Sequence, residues 1–226
     1  MFSFNRRLNI QGFTRRIGTK VVRVNPHSRK ANVLRIRAAL EDASKHKVEV
    51  GYVVSKSGKI SQMVTQNNPN AVQYKFNDKL LPYTAKNLGT VHNHPNQFPK
   101  LNLTANPPSG PDIVNNLHRG DYGFVADQQG SQFRYSRGKK FDKAGEFETI
   151  ALINKTTRKL STFKEKIQKM SKLSADQKLM TQDRFYQRLN QEGLIRYRVR
   201  PTPELKARRE KFQANADRVL DWIFRD

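Results

Sequence analysis

The sequence predicts an α+β fold in which helices flank a mixed sheet. The chain has 226 residues, enough to bury one core of ordinary size and to carry extensions. The spacing of its apolar residues predicts, in chain order, a helix, strands, a second helix, more strands and then a long helical region. This order is typical of α+β proteins. Clusters of Gly, Asn and Pro separate these segments and mark the turns.

The first half of the chain combines one helix with several short strands. Apolar residues recur at helical spacing over 30–43, which predicts an amphipathic helix. A strand over 48–54 ends at the turn signal Ser57-Gly58, and 59–64 is its predicted hairpin partner. Further strands are predicted over 20–24, 72–76 and 88–91, the last ending before Pro95.

The second half begins with a loop rich in Pro and Asn over 96–108. Ser109 then has the chemistry of a helix N-cap, and a helix is predicted over 111–118. Strands over 123–126 and 132–135 can form a hairpin. The remaining predicted elements are helices over 145–153, 161–170 and 175–192, an extended segment over 197–199 and a final helix over 204–224.

Positive charge is concentrated towards the two ends of the chain. Lys and Arg total 43 against 19 Asp and Glu, for a formal net charge of +24. The predicted organisation is a basic arm over 1–29, a central domain over 30–140 and a basic, mainly helical extension over 141–226. Such an excess favours polyanionic partners, nucleic acid first and an acidic membrane surface second. Solvated basic tails that aid solubility are the alternative.

The residue types exclude some chemistries. The chain has no cysteine, so disulfides and thiolate metal sites are excluded, and any metal must use His and carboxylate ligands. No window approaches the ~18 apolar residues that a membrane span needs, and the N-terminus lacks a long apolar core. We therefore expect a cytoplasmic protein, or a virion-associated one if the chain is encoded by a phage.

The segment His92-Asn93-His94-Pro95 is the main candidate for chemistry. Histidines at i and i+2 on an extended segment project to the same side, so His92 and His94 can bind one ion. Asp112, three residues after the predicted cap Ser109, can supply a third ligand. Three protein ligands and one open position are typical of catalytic Zn²⁺, which lowers the pKa of a bound water to about 7.

Hydrolysis also needs a carboxylate beside the metal that takes and returns a proton. Glu49 is the best candidate because it interrupts an apolar strand, where an inward-facing charge is costly without a role or a partner. Strand alternation places it on the same side as the small Gly51, which leaves room for a site. The alternatives are that the strand turns Glu49 to solvent, or that Glu41 is the carboxylate used.

In their order, these residues resemble the JAMM/MPN-type zinc metalloproteases, which include deubiquitinating isopeptidases and bacterial and phage relatives. The pattern is an upstream Glu, then His-x-His-Pro, then Ser-x-x-Asp followed by a helix. The resemblance implies that Zn²⁺ is bound by His92, His94 and Asp112, that Glu49 is the general acid/base, and that Ser109 stabilises the oxyanion. The implied activity is cleavage of an amide or isopeptide bond in a protein substrate by a zinc-activated water.

The resemblance covers about residues 30–137 and implies a JAMM/MPN-like domain. The motif His-Asn-His-Pro is similar to the motif of the RadC-type branch of the family, which is associated with DNA repair. Fourteen residues separate His94 from Ser109, more than is usual in the family. We therefore expect 96–108 to form an inserted loop that can cover the cleft or influence substrate choice.

Basic residues in both flanks are the candidates for nucleic-acid contact. The run 196–200 alternates in the period of a strand, which places three arginines on one face, suited to phosphate contact and stacking. An edge strand with a solvated basic face is the alternative. The candidates are Arg6, Arg7, Arg15, Arg16, Arg196, Arg198, Arg200, Arg208 and Arg209. They support an alternative function, a DNA-associated or packaged viral protein whose metal site is secondary or inactive.

Overall fold

Helices cover both faces of a six-stranded mixed sheet, which confirms the predicted α+β class. The computed structural model describes residues 14–17, 20–23, 26–55, 59–61, 63–65, 87–95 and 106–225. The strands are β1 (Thr14–Ile17), β2 (Lys20–Arg23), β3 (Val50–Ser55), β4 (Val64–Thr65), β5 (Asn87–His94), β6 (Tyr122–Asp127), β7 (Gln132–Arg137) and β8 (Ile195–Arg200). The helices are α1 (Pro26–Ser44), α2 (Gly110–Arg119), α3 (Glu146–Lys169), α4 (Ala175–Gln191) and α5 (Pro203–Ile223).

The parallel connection from β5 to β6 places the end of β5 beside the start of α2. The sheet runs β4-β3-β5-β6-β7-β8, while β1 and β2 pair with each other. Strands β5 and β6 are parallel, and the other neighbours in the sheet are antiparallel. Parallel strands need a crossover connection, and α2 lies in the connection between β5 and β6. The carboxyl end of β5 therefore meets the N-terminus of a helix, a common location for ligand sites.

Each face of the sheet has its own core. Val50, Val91 and Phe124 pack against α1 on one face. Val125 and Phe133 pack with α2 to α5 on the other face. This division follows from the alternation of side chains along a strand. None of the helices in the described part of the chain is long and apolar enough to cross a membrane.

The sheet and the larger core both continue beyond residue 140. Strand β8 pairs with β7 along its whole length. Leu160, Phe185 and Leu220, from α3, α4 and α5, belong to the same buried cluster as Phe133. The helical C-terminal region therefore shares a sheet and a core with the central region.

One prediction of secondary structure was wrong, and a second was confirmed with an interruption. The helices predicted over 145–153 and 161–170 are one continuous helix, α3. Thr156 in the polar stretch between them is buried, and its hydroxyl donates to the carbonyl of Leu152 at 2.8 Å, so the stretch does not end the helix. The hairpin partner predicted over 59–64 does pair antiparallel with β3, through a bridge at Ile60 and then through the short β4. The strand predicted over 72–76 lies outside the described residues.

Candidate metal centre

His92 and His94 lie at the carboxyl end of β5 with their rings on the same side of the strand. Their Nε2 atoms are 3.2 Å apart. The side chains are 4% and 11% exposed, so water reaches them little. Gly51 is the partner of His92 in the neighbouring strand β3, and its lack of a side chain leaves space beside the rings. The two histidines therefore meet as the spacing of the motif predicts.

The carboxylate of Asp112 faces both histidines from the first turn of α2. Its Oδ1 lies 3.6 Å from Nε2 of His92, and its Oδ2 lies 3.3 Å from Nε2 of His94. Ligand atoms that share a tetrahedral zinc ion at about 2.0–2.1 Å are about 3.3 Å from one another. Each histidine thus has an oxygen of Asp112 close to this separation, Oδ1 for His92 and Oδ2 for His94.

Ser109 positions Asp112 by capping α2. Its Oγ accepts a hydrogen bond from the Asp112 backbone N–H at 3.3 Å, while Oδ2 of Asp112 accepts from the Ser109 N–H and hydroxyl, both at 2.7 Å. The helix ends at Arg119, and the capping residue Gly120 has a φ of 72°, which suits glycine. The capping box and the ligand role are compatible, because Oδ1 remains directed at His92.

Glu49 is the second carboxylate of the cluster. It is 7% exposed and precedes β3. One ligand atom from each of Glu49, His92 and His94 lies within 4.8 Å of the others, so these three residues form a group that could hold a metal ion. Glu41, the alternative carboxylate, is exposed near the end of α1 and lines a groove formed with β7 and β8.

Asn93, which the sequence interpretation passed over, anchors the backbone on both sides of Glu49. Its Oδ1 accepts from the N–H of Val50 at 2.7 Å. Its Nδ2 donates to the carbonyls of Val48 at 3.1 Å and His46 at 3.0 Å. Pairing of β3 with β5 begins only at Gly51, so this fully buried amide replaces ladder hydrogen bonds that the backbone does not make there. The available signal was an amide inside a strand, between two histidines.

Helix α4 supports the site through the segment 107–108. Nδ1 of His94 lies 3.1 Å from the carbonyl oxygen of Pro107, which can only accept, so Nδ1 carries the proton and Nε2 presents its lone pair in the neutral ring. The hydroxyl of Tyr186 and Nε2 of Gln182 donate to the carbonyl of Pro108 at 2.9 and 2.8 Å. No local pattern in the sequence indicates this support, because it joins segments far apart along the chain.

Two residues of the site, Asp112 and His94, have pKa values shifted by their neighbours. Burial raises the pKa of the Asp112 carboxyl, but His92 and His94 outweigh burial and hold that pKa well below its usual range. For His94 the directions are reversed, because burial lowers the pKa of an imidazole. The adjacent Asp112 and the charge of Glu49 outweigh burial and raise the pKa of His94 above its usual value. The two carboxylates therefore favour positive charge between them, which a bound cation would supply.

The donor set fits a divalent metal ion such as zinc. Nδ1 of His92 is buried without a hydrogen-bond partner among the described residues, so the polar contacts of this ring are made by Nε2 towards His94 and Asp112. The site brings together two imidazole nitrogens and the carboxylates of Asp112 and Glu49, which are ligand types that zinc accepts. Fold and site together define the chain as an α+β protein with a candidate metal centre at the end of β5.

Comparison of the chain with protein-family models and with curated proteins finds no match to either. The JAMM/MPN resemblance therefore rests on the order of the motif residues, and membership of that family stays a prediction.

The arginines predicted to contact nucleic acid have different environments. Arg6 and Arg7 lie outside the described residues, while Arg15 and Arg16 lie in β1. Ion pairs join Arg196 to Asp142, Arg208 to Asp176 and Arg209 to Asp183. Arg198 and Arg200, in contrast, are exposed on β8.

Proposed function

We propose that this chain is a zinc-dependent hydrolase that cleaves an amide or isopeptide bond in a protein substrate. The observation that carries the proposal is the convergence of His92, His94 and Asp112, whose facing atoms are 3.2 to 3.6 Å apart, beside the buried Glu49. The JAMM/MPN-type order of the same residues supports it. So does the absence of cysteine, which leaves imidazole and carboxylate as the available zinc ligands.

The two carboxylates have different roles in the proposed site. His92, His94 and Asp112 would hold the ion, since the oxygens of Asp112 lie at ligand separations from both histidines. A divalent ion held there would supply Lewis acidity, which lowers the pKa of water and polarises a carbonyl group. Glu49 is then left to act as the acid and base.

Glu49 moves the proton in the proposed mechanism. Its carboxylate takes a proton from the attacking water while the water oxygen bonds to the carbonyl carbon. The same group returns the proton to the amide nitrogen as the carbon–nitrogen bond breaks, which releases an amine and a carboxylic acid. Burial suits this role, because bulk water has little access to the proton that Glu49 carries to the leaving group.

Ser109 and the start of α2 stabilise the negative charge that forms on the carbonyl oxygen. The Ser109 hydroxyl donates to Asp112 in this structure, and rotation about its Cβ–Oγ bond would turn the proton towards a substrate while Oγ keeps the cap. The N-terminus of a helix favours negative charge nearby. One hydroxyl donor to an oxyanion is worth about 10²-fold in rate.

The proposal is tested by measuring zinc content and cleavage on the same preparations. The purified full chain should contain about one zinc per molecule. His92→Ala should remove both the metal and the cleavage of a library of quenched fluorescent peptides with α-amide and lysine isopeptide bonds. Glu49→Gln should keep the zinc and lower the cleavage rate by about 10²-fold or more, because the proton carrier is lost.

Glu41→Gln is the matched control, since it makes the same chemical change on the exposed end of α1. It should leave zinc content and cleavage unchanged. The proposed roles are wrong if Glu49→Gln loses its zinc while Asp112→Asn retains it, or if Glu49→Gln cleaves as fast as the natural chain.

A further inference from the structure

Three exposed arginines lie together on the face of the sheet that α1 covers only in part. Arg134 on β7 is the direct cross-strand partner of Arg198 on β8, and Arg200 follows two residues along the same strand. Arg134 is also the partner of Phe124, which packs towards α1. Since cross-strand partners share a face, the three arginines extend the α1 side of the sheet to its β8 edge. We call this group, Arg134, Arg198 and Arg200, the arginine face.

The positive charge of the arginine face has no neutralising partner among the described residues. None of the three guanidinium groups forms an ion pair in that part of the chain, whereas the neighbouring Arg196 pairs with Asp142. Like charges directly opposite each other on two strands destabilise a sheet. The pairing of Arg134 with Arg198 therefore carries a cost that binding of an anion would remove.

Aromatic rings hold one of these guanidinium groups in place. The Arg134 guanidinium lies 4.4 Å from the centre of the Tyr122 ring and 5.6 Å from that of Phe124. Cation–π contacts of this kind restrict the guanidinium plane and leave its N–H edges available. A planar group presented in this way matches the paired oxygens of a phosphate.

A groove continues the arginine face towards α1. Arg200 lines it together with Thr202 and Ser44, whose hydroxyls suit contacts to phosphate or sugar, and Glu41 is the acid on its rim. Along β8, Arg198 and Arg200 lie about 7 Å apart, as alternate residues of a strand do. The surface is thus an elongated basic strip and not a single point of charge.

We propose that the arginine face binds the phosphodiester backbone of a nucleic-acid strand. The planar guanidinium groups, the adjoining ring of Tyr122 and the neighbouring hydroxyls favour such a strand over an acidic membrane. A membrane surface calls for exposed apolar residues to insert, and no large exposed apolar side chain of the described residues lies on β7 or β8, although Val33 and Leu34 are exposed on α1. The contacts are to phosphate, so binding has no sequence specificity.

The arginine face is separate from the metal centre. His92 is the partner of Val125 in the sheet, and Val125 packs on the side of α2 to α5, while Arg134 lies on the α1 side. Nucleic-acid binding should therefore neither require zinc nor block the metal centre. Each of the two proposals can fail without the other.

The test measures binding of the full chain to fluorescent single-stranded and duplex oligonucleotides by anisotropy at several salt concentrations. The variant Arg134→Gln/Arg198→Gln/Arg200→Gln should bind about 10-fold or more weakly at ~100 mM salt. The slope of log affinity against log salt should fall in magnitude by about two to three, because up to three phosphate contacts are lost. Zinc content should not change.

A matched control removes the same charge elsewhere. Lys155, Arg158 and Lys164 are exposed on α3, on the other side of the sheet, and their replacement by Gln should weaken binding less than about 3-fold. Equal loss in both variants would show that net charge alone drives binding and would overturn the proposal. So would tighter binding to vesicles of acidic lipid than to either oligonucleotide. If the triple variant does not fold, Arg198→Gln alone should reduce the salt slope by about one.

Discussion

At the scale of single residues, Asn93 joins the two strands that form the candidate metal centre. Its neighbours His92 and His94 face the metal site, while its own side chain points the other way and holds the backbone before and after Glu49. One segment of the chain therefore supplies two candidate ligands and also sets the position of the candidate acid/base. The residue between the two histidines therefore has a structural role that the pattern of metal ligands does not indicate.

We expect Asn93→Ala to lower the free energy of unfolding by about 2–4 kcal/mol. The reason is that the buried N–H of Val50 and the partly buried carbonyl of Val48 lose their side-chain partner, and the carbonyl of His46 loses one of its two donors. Urea unfolding followed by circular dichroism measures the change. Asn115→Ala, on the exposed side of α2, is the control and should change stability by less than about 0.5 kcal/mol. A similarly small effect at Asn93 would contradict the anchoring role.

At the scale of secondary-structure elements, the site depends on a helix far along the chain. Helix α4 donates two hydrogen bonds to the carbonyl of Pro108, and the adjacent Pro107 orients His94. Groups that orient a metal ligand tune its affinity even though they do not touch the metal. Helix α4 is therefore part of the support of the candidate centre.

We expect the variant Tyr186→Phe/Gln182→Ala to bind zinc about 10-fold more weakly, because both donors to Pro108 are lost. Competition with a chromophoric chelator measures the affinity. Tyr197→Phe is the matched control, because it removes a buried hydrogen bond to Asp183 within the same core. It should lower stability and leave zinc affinity unchanged. Unchanged affinity in the double variant would show that α4 does not support the site.

At the scale of the whole molecule, the C-terminal helices complete the core of the sheet. Phe133 and Tyr135 are each 1% exposed, and their buried cluster includes residues of α3, α4 and α5. A small domain that loses one side of its core cannot offset the entropy of folding. The region after residue 140 is therefore needed for stability as well as for the site.

We accordingly expect a chain truncated after residue 140 to lose cooperative folding, since one face of its sheet would be exposed to water. Thermal melts followed by near-ultraviolet circular dichroism report this loss. A separately produced fragment of residues 141–226 should restore a cooperative transition when mixed with it. A sharp transition in the truncated chain by itself would show that 30–140 is an autonomous domain.

Local features of the fold and of the site could be predicted from the sequence. The cap at Ser109 marks the start of α2, and alternation places Glu49 with Gly51 and the arginines of β8 on one face. The continuity of α3 could not be predicted, because Thr156 is compatible with the helix only once its hydroxyl is satisfied and buried. Which arginines form ion pairs could not be predicted either. Their partners, Asp142, Asp176 and Asp183, lie in other segments of the chain.

The sequence by itself determined the ligand types, the spacing of the histidines and the side of each strand on which a residue lies. These depend on interactions within a few residues, such as strand alternation and helix capping. The tertiary structure alone decided that Asn93 holds the backbone around Glu49, that α4 supports His94 and that Arg134 lies opposite Arg198. Such contacts depend on strand register and on the packing of distant segments, which local periodicity does not specify.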